Sequence, residues 1–301
     1  MKIKSPITNS DNTMKVETLN SNDIISSYIA AGWDNIKRFF VNDKTVSIYK
    51  CLDTGYRFYH PSNIAGDDDF YTYLQKKNGY YANWRWEHGI ASNEVGQTCH
   101  VLENGCGSGN FLERLREDKK IHGVGLELCL EAANNARSKG SHILSETIEK
   151  HAEKNKDKYD IVCAFQVLEH VYDVKSFIEG SLACLKKGGL LIIGVPNNNP
   201  YIFKYDKLHA LNLPPHHMGL WDKKSLKSLK HHFPMLLKYV ATEPLFDTDY
   251  FWKISTNHWK NNNPVVYWFS QHIPDSMKDT RNKIIRKVCA GRNLLAVYIK
   301  D

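Results

Sequence analysis

Apolar positions in this chain follow two periods, and the two alternate through most of its length. Val101-Leu102, Ile161-Val162-Cys163-Ala164-Phe165 and Leu190-Leu191-Ile192-Ile193 are short continuous runs, as expected of strands buried on both faces. Helix-period segments separate them: Phe111, Leu112 and Leu115, then residues 129–139 stopped by Gly140, then 177–185 closed by Lys186-Lys187-Gly188-Gly189. Ser141-His142-Ile143-Leu144 reads as a weak third strand, and 236–245 and 294–299 as a closing antiparallel pair. Strands alternating with helices predict an α/β fold, a mainly parallel sheet with helices on both faces.

Upstream the pattern changes. Residues 1–21 are polar and predict little regular structure. Ile24, Ile25, Tyr28, Ile29, Trp33, Ile36 and Phe40 predict a helix over 23–40. Residues 46–51 alternate, Asp53-Thr54-Gly55 turns and 56–60 returns, which predicts a hairpin. Asp67-Asp68-Asp69 opens a helix through Leu74, and Tyr80, Tyr81, Trp84, Trp86 and His88 lie on a second. The chain divides at 92/93, a helix, hairpin and aromatic cap (1–92) preceding the α/β domain (93–301). Asp222 reads as the N-cap of a helix over 223–231. Residues 246–286 exceed a hairpin loop and are rich in Tyr, Trp, Phe and His. They read as an insertion, either a lid or substrate wall, or else an oligomer contact or a patch packed on the N-terminal piece.

The candidate chemistry begins at Glu103-Asn104-Gly105-Cys106-Gly107-Ser108-Gly109-Asn110, between the first strand and its helix. Glycines let the backbone approach a ligand, and the helix start offers unpaired N–H groups. The spacing G-x-G-x-G differs from the G-x-G-x-x-G of a dinucleotide site. Glu103 would repel a pyrophosphate there. A cofactor with an ammonium and a sulfonium but no phosphate fits better. The second strand ends in Glu127, about 20 residues on, where an acidic side chain can accept ribose hydroxyls.

These residues resemble class I S-adenosylmethionine (SAM)-dependent methyltransferases, whose Rossmann-like fold has seven strands with the last antiparallel. Residues 159–171, 185–200 and Leu213-Pro214-Pro215-His216-His217-Met218-Gly219-Leu220-Trp221-Asp222 resemble further segments of the ubiquinone-biosynthesis-like methyltransferases in the broad sense. The resemblance implies cofactor contacts at Glu103, Gly105, Gly107, Gly109, Asn110, Glu127, Leu128, Thr147, Ile148, Phe165 and Gln166. It implies Tyr81 and Arg85 at the methionine end, where a guanidinium can bind the SAM carboxylate bidentately. The hairpin resembles one that holds zinc through C-x-x-C-G, but Cys51-Leu52-Asp53-Thr54-Gly55 has lost the second cysteine. One thiolate cannot build a structural zinc site.

Methyl transfer to a hydroxyl needs a proton removed, and histidine suits that task near neutral pH. His170, His216 and His217, at a strand end or in the loop above the sheet, are the candidates, with structural hydrogen bonding or ring packing as the alternative. A divalent ion bridging Glu169, His170 and His216 is conceivable, yet no ligand spacing specifies one, and no metal is assigned.

Length, charge and cysteines narrow the class. The 301 residues carry a formal charge of +7, spread rather than blocked, which permits an anionic substrate without demanding nucleic acid. An N-P-P-Y-type amino-methylating motif is missing after the fourth strand. Seven cysteines without paired spacing read as reduced thiols in a cytoplasmic protein. No apolar run approaches membrane-spanning length. The expectation is a SAM-dependent O-methyltransferase acting on a small-molecule or sugar-like acceptor, with no nucleic-acid or membrane partner and with a homo-oligomer left open. N- or protein methylation, or a SAM-binding subunit without chemistry, are the alternatives.

Overall fold

The computed structural model describes residues 2–75, 83–199 and 205–301, and it begins with a small antiparallel sheet. Strands β1 (Thr13–Asn20), β2 (Thr45–Cys51) and β3 (Arg57–His60) pair in that order, with helix α1 (Ser21–Ala30) between the first two. Gly219–Leu220, far along the chain, completes this sheet beyond β3. Helices α2 (Asp68–Gln75) and α3 (Trp86–Glu94) then lead to the main sheet.

The main sheet is built by β4 (His100–Asn104), α4 (Asn110–Lys119), β5 (His122–Leu126), α5 (Leu130–Ser138), β6 (Ile143–Leu144), α6 (Ile148–Ala152), β7 (Tyr159–Phe165), α7 (Val174–Cys184) and β8 (Leu185–Pro196). After the short β9 (Gly219–Leu220) come α8 (Lys223–Ser228), β10 (Met235–Pro244), three helices, α9 (Thr248–Asn262), α10 (Pro264–Gln271) and α11 (Lys278–Val288), and β11 (Ala290–Lys300). The seven strands lie in the order β10-β11-β8-β7-β4-β5-β6. β4 to β8 are parallel, and β11 runs antiparallel to both its neighbours. Each continuous apolar run splits by its period of two. Leu102, Val162, Leu191 and Ile193 enter one core, and Val101, Ile161, Cys163 and Ile192 enter the other. Strand order reverses between β4 and β7, where a doubly wound sheet opens its ligand crevice at the strand carboxyl ends.

Three expectations need correction. Residues 13–20 are ordered as β1; mostly exposed side chains hide the strand from a hydrophobicity reading, and its backbone pairing with β2 holds it. The helix expected over 23–40 ends at Ala30. Gly32, at φ 81°, turns the chain, and Lys37–Phe40 forms a short 3₁₀ turn. Ile24, Tyr28, Ile36 and Phe40 nevertheless share one core. Lys186–Gly189 does not end a helix. Leu185 is already extended and pairs with Tyr159, and the next pair, Ile161 with Leu190, takes up the intervening residues as an irregularity within β8. Asp222 caps α8 as expected, accepting from the Ser225 N–H at 2.7 Å.

Candidate active site

The turn after β4 is three glycines in left-handed conformation: Gly105 (φ 71°), Gly107 (φ 53°) and Gly109 (φ 75°). The Gly105 and Cys106 N–H groups donate to the Leu126 carbonyl at 2.8 and 3.1 Å, tying the turn to the end of β5. A Cβ on Gly105 would lie 2.4 Å from Val167 Cγ2, so the close approach there requires glycine. Gly105, Gly107 and Asn110 line the large cavity. Gly109 does not. A Cβ on it would meet Ala136 at 3.1 Å and Ser141 at 3.3 Å, so this glycine serves the turn and the packing on α5 rather than the ligand.

Glu127 stands at the end of β5 as anticipated. Its Oε2 accepts the Gly107 N–H and its Oε1 the Cys129 N–H, both at 2.8 Å. A carboxylate offers about four lone-pair sites, so one on each oxygen remains for a pair of hydroxyls. Burial pushes its pKa up, against those hydrogen bonds. Glu103 is 3% exposed, its Oε2 has no hydrogen-bond partner, and burial followed by the nearby Glu127 charge raises its pKa well above the usual carboxylate range. An orphaned carboxylate beside a second one suits a cationic ligand.

The cavity measures about 1210 Å³. That exceeds the roughly 300–1,000 Å³ of a usual small-molecule site, leaving room for two ligands. Glu127, Leu128, Thr147 and Ile148 line the part beneath β5 and β6; Thr147 also caps α6 by accepting from the Lys150 N–H at 3.4 Å. Phe165, Gln166 and Arg85 line the middle, and Tyr81 lies outside the described residues. Gln166 adopts φ 55°, and its Nε2 donates to Glu87 Oε1 at 3.1 Å. The Phe165 ring packs edge-on against His88, centroids 4.8 Å apart.

Beyond β7 the three candidate histidines come together. Ring centroids lie 4.6 Å apart for His170 and His216, 5.0 Å for His170 and His217, and 4.5 Å for the stacked pair His216 and His217. Burial drives all three pKa values down, that of His170 to about 4 and those of His216 and His217 well below the usual 6.5. The rings are therefore neutral at physiological pH. His170 still has 18% of its side chain accessible. Tyr71, Asn197, Asn198, Asn212, Arg292 and Asn293 also line the cavity and were not foreseen. They come from the N-terminal helices, the loop after β8 and the start of β11; Asn197 and Asn198 fall within the 185–200 segment noted above, and no local motif marks the other four. No described lining residue belongs to 246–286, so the expected lid does not form a wall of this cavity. Its helices instead pack Phe251 and Ile285 with Leu245.

A doubly wound sheet with β11 reversed, a glycine turn after the first parallel strand and a carboxylate ending the second define the class I SAM-dependent methyltransferases. The family described as "Methyltransferase domain" matches residues 70–233, and this chain belongs to it. Among curated relatives, "Ubiquinone biosynthesis O-methyltransferase" of Serratia proteamaculans (strain 568) is 34% identical over 104 residues, covering 33% of this chain and 43% of that protein. The same-named protein of Sodalis glossinidius (strain morsitans) is 34% identical over 106 residues, covering 34% and 43%. The chain thus spans less than half the length of these relatives. Among solved structures, a SAM-dependent methyltransferase from Archaeoglobus fulgidus superposes at a TM-score of 0.49 with 14% identity, over 77% of this chain and 99% of that one. No helix among the described residues is long and apolar enough to cross a membrane.

Proposed function

We propose that this chain methylates a hydroxyl oxygen of a small molecule or glycan, using SAM. The observation that carries the reading is one continuous cavity with Glu103 and Glu127 at the glycine turn and three neutral histidines beyond β7. Bound SAM supplies an electrophilic methyl on a sulfonium. Glu127 would hold the two ribose hydroxyls with its remaining lone pairs, and Glu103 would sit opposite the positive charge. Thr147 and Ile148 would flank the base, and Arg85 would meet the carboxylate.

The chain's own contribution is position and proton handling. Alignment of nucleophile, methyl and sulfur is worth roughly 7–11 kcal/mol in well-oriented reactions. His170 Nδ1 is bonded to the His216 carbonyl at 2.6 Å, so its Nε2 is the acceptor nitrogen available to a hydroxyl. The ring is a weak base but an unprotonated one throughout the physiological range.

The test is production of S-adenosylhomocysteine from SAM with hydroxyl acceptors. His170→Ala is expected to lower kcat by about 10²–10⁴-fold while S-adenosylhomocysteine affinity holds. Unchanged kcat on a confirmed acceptor removes His170 from the chemistry, and absence of binding by the wild-type chain overturns the reading itself.

A further inference from the structure

Among the described residues, His170, His216 and His217 each place a ring nitrogen within 4.8 Å of the other two. Their Nδ1 atoms all face oxygen acceptors. His170 Nδ1 donates to the His216 carbonyl at 2.6 Å, His216 Nδ1 to the Leu211 carbonyl at 2.9 Å, and His217 Nδ1 to Asn212 Oδ1 at 3.2 Å. Those oxygens only accept, so each Nδ1 carries the proton and each Nε2 carries a lone pair. Three clustered imidazoles in one tautomer, each with an oxygen behind it, have the support that orients metal-ligating histidines.

A second observation points the same way. Glu169 is fully buried and lines the same cavity, and neither of its oxygens has a hydrogen-bond partner. Its Oε1 lies 3.9 Å from His170 Nε2. A buried carboxylate without hydrogen bonds is costly unless a proton or a cation satisfies it. The residues come from two places in the chain, the end of β7 and the loop before β9, so their spacing in sequence carries no ligand pattern.

We propose that His170, His216 and His217 hold one divalent transition-metal ion, with the Glu169 carboxylate balancing its charge. Three neutral imidazoles suit Zn²⁺, Co²⁺, Ni²⁺ or Fe²⁺ rather than the all-oxygen cations Mg²⁺ and Ca²⁺. Three protein ligands leave a position open, as catalytic zinc sites do. Ion binding stands on the cluster alone, whereas its use rests on the methyltransferase reading. The acceptor hydroxyl takes the open position and becomes more acidic. Its proton leaves to water, its oxygen bonds to the methyl carbon as the C–S bond breaks, and the bonding pair stays on sulfur. His170 then serves the hydroxyl as a ligand rather than by taking its proton.

The test is Co²⁺ titration of the full-length chain after chelator treatment, followed by visible absorption, with Zn²⁺ competition. The expected result is one Co²⁺ per chain with ligand-field bands, displaced by Zn²⁺ and lost in His216→Ala and His217→Ala. Asn212→Ala removes only the support behind His217 and is expected to weaken Co²⁺ about 10–100-fold. Calorimetry with S-adenosylhomocysteine on each variant reports whether it has folded; if the histidine variants have not, Asn212→Ala and Glu169→Gln decide. No stoichiometric binding by the wild type, or equal binding by folded variants, overturns the site. Failure of the wild type to bind S-adenosylhomocysteine overturns the methyltransferase reading instead and leaves the ion result standing.

Discussion

Glu127 engages two backbone N–H groups of the elements it must align, so it builds the turn before it meets a ligand. Hydrogen bonds to a charged group are worth about 1.5–3 kcal/mol, so Glu127→Gln should weaken S-adenosylhomocysteine about 10- to 150-fold by calorimetry. Because burial raises this pKa, the carboxylate takes up its proton at a higher pH than the ordinary 4.5. Affinity should therefore fall on acidification, beginning above the range of an exposed glutamate. Glu103 shifts the same way, and here the consequence is stability. Below about pH 4.5 the group is protonated in both folded and unfolded chains and costs nothing. As pH rises toward its elevated folded-state pKa, only the unfolded chain ionises, and stability drains at up to about 1.4 kcal/mol per pH unit. Glu103→Gln removes that loss, so the variant's advantage in urea denaturation should grow from pH 5 to pH 8. Its affinity for SAM should fall. A constant difference across that pH range would contradict the buried-charge argument.

At the scale of elements, the glycine turn works because strand, bend and helix agree. Gly105→Ala forces a methyl against Val167 and keeps an L residue at φ 71°, so cofactor binding should be lost. Adding Val167→Ala relieves the clash but not the backbone strain, and calorimetry should find partial recovery only. Asp222 at the start of α8 forms a reciprocal capping box with Ser225. Asp222→Ala should cost about 0.5–2 kcal/mol in urea denaturation. Both features could be read from local sequence because cap and bend chemistry is local. β1 could not, since its exposed polar residues carry no period and its hydrogen bonds go to a strand over twenty residues away. Nor could the irregular start of β8, where pairing with β7 overrides the helix-ending look of Lys186-Lys187-Gly188-Gly189.

Across the whole molecule, the N-terminal sheet and helices anchor the loop that carries His216 and His217. The Tyr28, Tyr59 and Tyr71 hydroxyls donate to the carbonyls of Leu213 (2.8 Å), Asn212 (3.1 Å) and His216 (3.2 Å), and Arg57 donates to that of Asn198 (2.7 Å). Removing the hydroxyls of Tyr28 and Tyr59 together (Tyr28→Phe, Tyr59→Phe) deletes three buried hydrogen bonds, because the Tyr28 hydroxyl also accepts the His216 N–H at 3.4 Å; each is worth about 0.5–1.5 kcal/mol. Steady-state kinetics should show kcat or the acceptor KM impaired while SAM KM holds, because these bonds touch only the histidine side. An equal loss on both substrates would mean that the loop and the glycine turn move as one. By itself the sequence determined the α/β sheet, the glycine turn, Glu127 and the three histidines as candidates. Each of these is encoded within a strand, a bend or a short motif. Only the tertiary structure decided that Gly109 faces α5, that no described residue of 246–286 lines the cavity although Asp247 and Tyr250 contact its Arg292, and that an N-terminal sheet closes over the histidine loop. It also decided that His170, His216 and His217 share one buried point with Glu169. Those outcomes depend on contacts between distant segments, whose closure no local pattern records.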